Sequence, residues 1–174
     1  MSREGSAISI EALRQQDLPA ALNIQTEAYP PALIEEEAAF RSRINLAASY
    51  CLAARREDEL LGYLLAHGWK RRSPPALGPL LAADVPSEVL FIHDLAVSSS
   101  SRGLGVGQKL ITRAFALAAE DGLHSAELVA VEGAAGYWRQ FGFVDAADSD
   151  ELLEKLGMYG HGARWMTREI TPNR

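Results

Sequence analysis

Three glycines fall within five residues at Gly103, Gly105 and Gly107, directly after Arg102 and at the start of an amphipathic run. The chemistry that this combination could do is anion binding. The first amides of a helix have no intrahelical acceptor and lie at the positive end of its dipole, which stabilises an anion there. Glycine lets those amides approach a ligand with no Cβ in the way, and an arginine adds a charge-assisted hydrogen bond. A strand-to-helix turn that uses glycine for steric reasons alone is the competing reading. Each glycine in a first helical turn forfeits about 1 kcal/mol of helix propensity, and anion binding would compensate that loss. Just upstream, His93 and Asp94 sit inside the apolar run "EVLFIHDLAV". An imidazole titrates near neutrality and suits general acid–base work; a hydrogen-bonded core histidine is the alternative. Period-two alternation puts His93 on one strand face with Leu95 and Val97, and Asp94 on the opposite face. There Asp94 would pair with a buried group, cap a neighbouring loop, or take part in substrate recognition or proton relay.

The elements that must position these residues follow from hydrophobic period and turn chemistry. "AISIEAL" alternates and predicts a first strand. Asp17 stands as N-cap before "LPAALNIQTEAY", with a proline early in the first turn, and "YPP" at 29–31 stops that helix. "ALIEEEAAFRSRINLAA" predicts one helix, acidic early and basic late. "SYCLAARREDELLGYLLAHGW" predicts a β-hairpin about the charged tip Arg56–Glu59, and the proline-rich stretch from Arg71 to Pro86 a long loop. "EVLFIHDLAV" is the strongest strand. From Gly105 to Asp121, apolar residues recur at helical spacing, and Gly122 ends the run. The strand "SAELVAV", the short helix "AAGYWRQFG", the strand "FVDA", the helix "SDELLEKLG" and the strand "ARWMTREI" complete the chain. The expected class is α/β (mixed α+β), one domain over residues 1–174 with a mixed central sheet.

Two familiar phosphate loops fail on spacing. A dinucleotide fingerprint G-x-G-x-x-G begun at Gly103 reaches Gln108, and a Walker loop fails because Lys109 follows Gln108 and precedes Leu110. R-x-x-G-x-G does fit Arg102–Gly107. Together with the preceding "HDLAV" and the later "YWRQFGF" (an aromatic pair, three residues, Gly-Phe), it resembles the signatures of the GCN5-related N-acetyltransferases, the GNAT superfamily. The two signatures span about residues 89–143, and the flanking elements follow that family's order, with a mostly antiparallel sheet flanked by helices.

The resemblance implies acetyl-CoA as cosubstrate and direct acetyl transfer to a primary amine of a small molecule or peptide. It implies main-chain contacts of Leu95, Ala96 and Val97 with the pantetheine arm. The amides of Arg102, Gly103, Leu104, Gly105, Val106, Gly107 and Gln108 would surround the pyrophosphate. His93 matches a catalytic histidine in the "H-x-L-A-V" of arylalkylamine acetyltransferases and is the candidate base. The family's thiolate-protonating tyrosine aligns with Trp138, whose indole is no useful proton donor. Tyr137, about 100° away on the helix, is the candidate acid or thiol ligand, with ordinary packing and solvent protonation of the thiolate as alternatives. Tyr29, His67 and Trp69 fall where the family builds its acceptor pocket, with packing as the alternative for each, and Asp94 joins them as a candidate. The departure at Trp138 keeps open a non-catalytic acyl-CoA-binding or sensing module of the same fold; transfer of another acyl group is a third reading. Many family members form homodimers, but no exposed apolar stripe in this sequence decides for one.

Composition narrows the remaining classes. The 174 residues, 48% of them apolar, suffice for one domain with a substantial core. A net charge of −6 argues against a nucleic-acid partner, and Lys70, Arg71 and Arg72 read as a solvated loop. Cys51 is the only cysteine, so intramolecular disulfides and cysteine cages are excluded, which fits a reducing compartment. It reads as a small core residue. The four histidines are scattered, His124 and His161 as isolated solvated residues, and no metal site is expected. No apolar run approaches the ~20 residues that span a bilayer, and "MSREGSAISI" lacks a secretory core. The expected location is cytoplasmic, with no membrane partner.

Overall fold

Apolar runs and polar turns condense into seven strands and five α-helices over the residues described by the structure, a computed structural model: 6–75, 86–131, 133–146 and 149–171. They are β1 (Ser9–Ala12), α1 (Leu18–Ala28), α2 (Glu37–Ile44), β2 (Leu52–Arg56), β3 (Glu59–Trp69), β4 (Val89–Val97), α3 (Val106–Glu120), β5 (Ser125–Ala130), α4 (Ala135–Arg139), β6 (Val144–Asp145), α5 (Asp150–Gly157) and β7 (Arg164–Glu169). The strands form one sheet in the order β1-β2-β3-β4-β5-β7-β6. β4 and β5 pair in parallel and every other neighbouring pair is antiparallel. This is the mixed, mostly antiparallel sheet flanked by helices that the sequence predicts. Residues 76–85 of the expected proline-rich loop lie outside the described residues.

The sheet is covered on both faces, which is why β3 and β4 are apolar at successive positions rather than alternate ones. Val106, Leu110, Ile111 and Ala114 of α3 pack on Leu52, Leu64, Ala66, Leu90 and Ile92. On the other face Leu18, Ala21 and Ile24 of α1 and Phe40 of α2 pack on Ala53, Tyr63, Leu65 and Ala96. Leu152 and Leu156 of α5 form a third cluster with Phe91 and Trp165.

Two irregularities in this frame matter for function. The first is a β-bulge in β4: Leu65 pairs with Asp94 but Ala66 pairs with Ile92, so His93 is an extra residue opposite β3. The strand's alternation changes phase across it. Leu90 and Ile92 face α3 before the bulge, yet Leu95 and Val97 face α3 after it, while Ala96 faces α1. Strict alternation would have put residues 92 and 95 on opposite faces. The second is that β4 pairs with β5 only from Leu90 to Ile92. Beyond that point the two strands separate, and the β5-facing edge of β4 from His93 to Val97 has no strand partner among the described residues.

The helix expected over "ALIEEEAAFRSRINLAA" is interrupted. A 3-10 turn covers Pro31–Leu33, Ile34 to Glu36 are extended, and α2 begins only at Glu37. Gln25 of α1 is the cause: its Nε2 donates to the Glu35 carbonyl (3.0 Å) and its Oε1 accepts from the Glu35 amide (2.8 Å). Both backbone groups of Glu35 are thereby taken from any helix. Asp17 precedes α1 but does not cap it; its carboxylate accepts from the Arg14 amide (2.8 Å) and pairs with Arg55. No helix among the described residues is long and apolar enough to cross a membrane.

Candidate active site

The glycine loop opens α3 as its sequence requires. Gly103 and Gly105 adopt φ of +84° and +73°, a region that costs an L-residue with a side chain roughly 1–2 kcal/mol. Nothing lies within 4 Å of a Cβ built at Gly105, so glycine is needed there for conformation and not for room. Gly107 is the reverse case: a Cβ would stand 2.5 Å from the Tyr137 hydroxyl. Lys109 N donates to Gly105 O (3.1 Å), the first intrahelical bond of α3. The amides of Val106, Gly107 and Gln108 therefore precede any intrahelical acceptor. Buried Ser101 Oγ, 2.7 Å from Ser98 Oγ, ties the loop to the end of β4.

These amides face a groove of about 610 Å³. Leu95, Ala96 and Val97 line it, as do Arg102, Gly103, Gly105, Val106, Gly107 and Gln108. Of the residues expected around the pyrophosphate, Leu104 is not in its lining and is exposed. The groove fits an extended ligand with an anionic group: an unpaired strand edge on one side, free helix amides and Arg102 on the other.

A second cavity, of about 150 Å³, lies beside the bulge. It and the groove share Tyr29, Leu95 and Tyr137. The bulge corrects two sequence expectations at this place. His93 does not share a face with Leu95 and Val97, and Asp94 is not opposite His93; both side chains line this cavity on the α1–α2 side of the sheet. His93, its side chain 2% exposed, holds Glu35 Oε1 at 2.5 Å through Nε2. Glu35 is the functional residue that sequence reasoning missed. Burial alone would raise its carboxyl, but the hydrogen bond and charge of His93, aided by Arg43 at 3.4 Å, outweigh burial and hold it below its ordinary value. Glu35 is therefore a carboxylate at neutral pH and Nε2–H donates to it. In neutral imidazole that leaves the lone pair on Nδ1. Nδ1 has no hydrogen-bond partner among the described residues, so it is free to take a proton.

Asp94 accepts from the Tyr63 hydroxyl (2.6 Å). Its burial raises the carboxyl despite the lowering effect of the Tyr29 and Tyr63 hydroxyls. Burial and then the charge of Asp94 push both tyrosines well above the ordinary range, so they stay protonated donors. Tyr29 also donates to the Leu95 carbonyl (3.0 Å), which fixes the wall between groove and cavity.

Tyr137 is 41% exposed at that junction, whereas Trp138 is only 8% exposed and packs on Phe141 and Phe143. Burial raises the Tyr137 hydroxyl, which keeps its proton at neutral pH. His67 and Trp69 are placed elsewhere. His67 is 0% exposed, with its ring against Phe91 and Trp69, and Trp69 Nε1 donates to Ser73 O (2.6 Å). Neither lines the cavity. His67 packs in the core because β3 is covered on both faces there. Among the described residues no group of three or more histidine, cysteine or acidic side chains could hold a metal.

A glycine loop that opens a helix beside a splayed β4 edge, in a seven-stranded mixed sheet, defines a class of protein, and comparison agrees. The model of the acetyltransferase (GNAT) family matches residues 18–143, well over half of the chain, and the chain belongs to that family. No curated protein matches the sequence. Among solved structures, it is similar to the ribosomal-protein-S18-alanine N-acetyltransferase from Escherichia coli at 16% identity and a TM-score of 0.68, over 97% of each chain. It is similar to Arabidopsis thaliana Naa50, solved with the bisubstrate analogue CoA-Ac-MVNAL, at 15% identity and 0.66, over 92% of this chain and 97% of that one. GphF, a GNAT-like decarboxylase solved with isobutyryl-CoA, is similar at 14% identity and 0.71, over 94% of this chain and 100% of that one. At these identities the likeness is one of fold.

Proposed function

We propose that the protein is an acetyl-CoA-dependent N-acetyltransferase that moves the acetyl group directly to a primary amine of a small molecule or peptide. The observation that carries this reading is the junction at Tyr29, Leu95 and Tyr137, where the groove suited to a diphosphate and its arm meets the cavity holding His93, Glu35 and Asp94. The thioester lies along the open edge of β4. The acceptor enters as an ammonium ion beside the two carboxylates and gives one proton to His93 Nδ1, while Glu35 stabilises the imidazolium. The amine nitrogen then attacks the thioester carbonyl, and an unpaired main-chain amide of β4 receives the developing oxyanion. Collapse breaks the C–S bond, Tyr137 gives its proton to the departing thiolate, and the second proton lost by the acylated nitrogen restores the Tyr137 hydroxyl.

The test follows thiol release and product mass together across an amine panel, with acetyl-CoA binding measured separately. The expected result is an amine carrying one added acetyl group for each thiol released. Tight acetyl-CoA binding with no acetylated product from any amine would replace this reading with the non-catalytic acyl-CoA-binding module.

A further inference from the structure

Gln25 lies in the last turn of α1, 2% exposed, and both ends of its side-chain amide bond to one residue. Nε2 donates to the Glu35 carbonyl and Oε1 accepts from the Glu35 amide. This pair of bonds copies what a neighbouring strand would offer, and it holds Glu35 extended between the 3-10 turn and α2. Two bonds at a fixed separation leave the Glu35 main chain little freedom to turn, so its side chain starts from a set place. The carboxylate then reaches His93 Nε2 through Oε1 (2.5 Å) and Arg43 through Oε2 (3.4 Å). A second tie joins α1 to β4: Tyr29, four residues after Gln25, donates its hydroxyl to the Leu95 carbonyl (3.0 Å). Leu95 stands two residues beyond His93 on the same strand. Gln25, Glu35, His93, Leu95 and Tyr29 thus close a ring, in which one turn of α1 fixes the His93 partner and the wall of the groove together.

Resting on the N-acetyltransferase reading above, we infer that Gln25 is a positioning residue for proton transfer. It touches no reacting atom; it holds Glu35 where the carboxylate keeps the His93 proton on Nε2 and leaves the lone pair on Nδ1. Without the clamp, the Glu35 amide and carbonyl need other partners, because leaving them bare is costly. The segment "IEEEAAF" favours helix by its sequence, and helix is the state that would supply those partners. Winding residues 34–36 into α2 would swing the carboxylate away from the imidazole. A displacement of about 1 Å in such a support costs up to about 100-fold in rate. The competing role for Gln25 is to fasten α1 to the chain that follows it. That role affects stability but does not decide which nitrogen of His93 carries the proton.

NMR of isotope-labelled histidine rings tells a protonated ring nitrogen from a bare one, and His93→Ala identifies the resonances. In the neutral ring of the wild type, Nε2 is expected to be protonated and Nδ1 bare. Gln25→Leu, or Gln25→Met should the leucine variant fail to fold, is expected to populate both tautomers. Its kcat falls about 10- to 100-fold while the affinity for acetyl-CoA stays in place. In a Glu35→Ala background the same change lowers kcat less than about twofold further, because nothing is left to position. The wild-type tautomer or wild-type kcat in the folded variant overturns the inference, as does a full further loss in the Glu35→Ala background. If no amine is acetylated, the N-acetyltransferase reading falls, and the tautomer comparison alone decides whether Gln25 positions the pair.

Discussion

His93 owes its place to one extra residue in β4, and its tautomer to Glu35. Neither effect needs the other's sequence neighbourhood, since the two residues are 58 apart in the chain. With Nδ1 as the base, His93→Ala lowers kcat about 10²–10⁴-fold with acetyl-CoA affinity unchanged, as steady-state kinetics beside a binding titration would reveal. Glu35→Gln separates orientation from proton transfer. The variant keeps a hydrogen-bond partner but removes the charge beside the imidazole, so kcat falls while the affinity for acetyl-CoA stays in place. Wild-type kcat in the folded variant would mean that the pair takes no part in the rate. The loop residues were legible from "SRGLGVGQ" because their chemistry is local: spacing fixes which amides and glycines stand together. Glu35 was not legible, because the stretch "IEEEAAF" reads as helix and only the distant Gln25 side chain converts it.

At the level of strands and helices, the groove beside the glycine loop depends on where β3 meets the start of α3. A Cβ at Gly62 would come 2.8 Å from the Ala96 carbonyl and 3.0 Å from Val106 Cγ1. Both neighbours belong to the groove wall, and the carbonyl is backbone that cannot turn aside. Gly62→Ala is therefore expected to cost about 1–3 kcal/mol by overpacking and to weaken CoA binding as well, measured by denaturant melts and titration. Stability loss with unaltered binding would detach β3 packing from the groove. The order of strands and the long amphipathic α3 were readable from periodicity, but the bulge was not. A bulge leaves hydrophobic alternation looking ordinary over "FIHDLAV", since His93 and Asp94 are both polar, and so strict alternation reverses the face of His93 relative to Leu95, Val97 and Asp94.

Across the whole molecule the core carries a titratable residue that the reaction does not use. His67 is held to about 3 by burial, against an ordinary 6.5, with its hydrogen bond to the Gly68 carbonyl only partly opposing. Between these values the unfolded chain binds a proton that the folded one refuses, so stability rises with pH and is lost as pH falls from 6.5 toward 3. Asp94, raised in the folded state, acts in the opposite sense. Comparing wild type with His67→Phe isolates the histidine: the wild type should lose up to about 1.4 kcal/mol more per pH unit across that window. Equal slopes in chemical denaturation would place a charged imidazole in the core and contradict the burial.

The groove itself is most directly tested by titration calorimetry of CoA and acetyl-CoA into wild type and Gly105→Glu. The wild type should bind both. The variant, with a side chain forced to positive φ and a negative charge beside the free amides, should melt cooperatively yet lose about 100-fold or more in affinity. No heat from the folded wild type, or equal affinity in the folded variant, would contradict a diphosphate held by the amides that open α3.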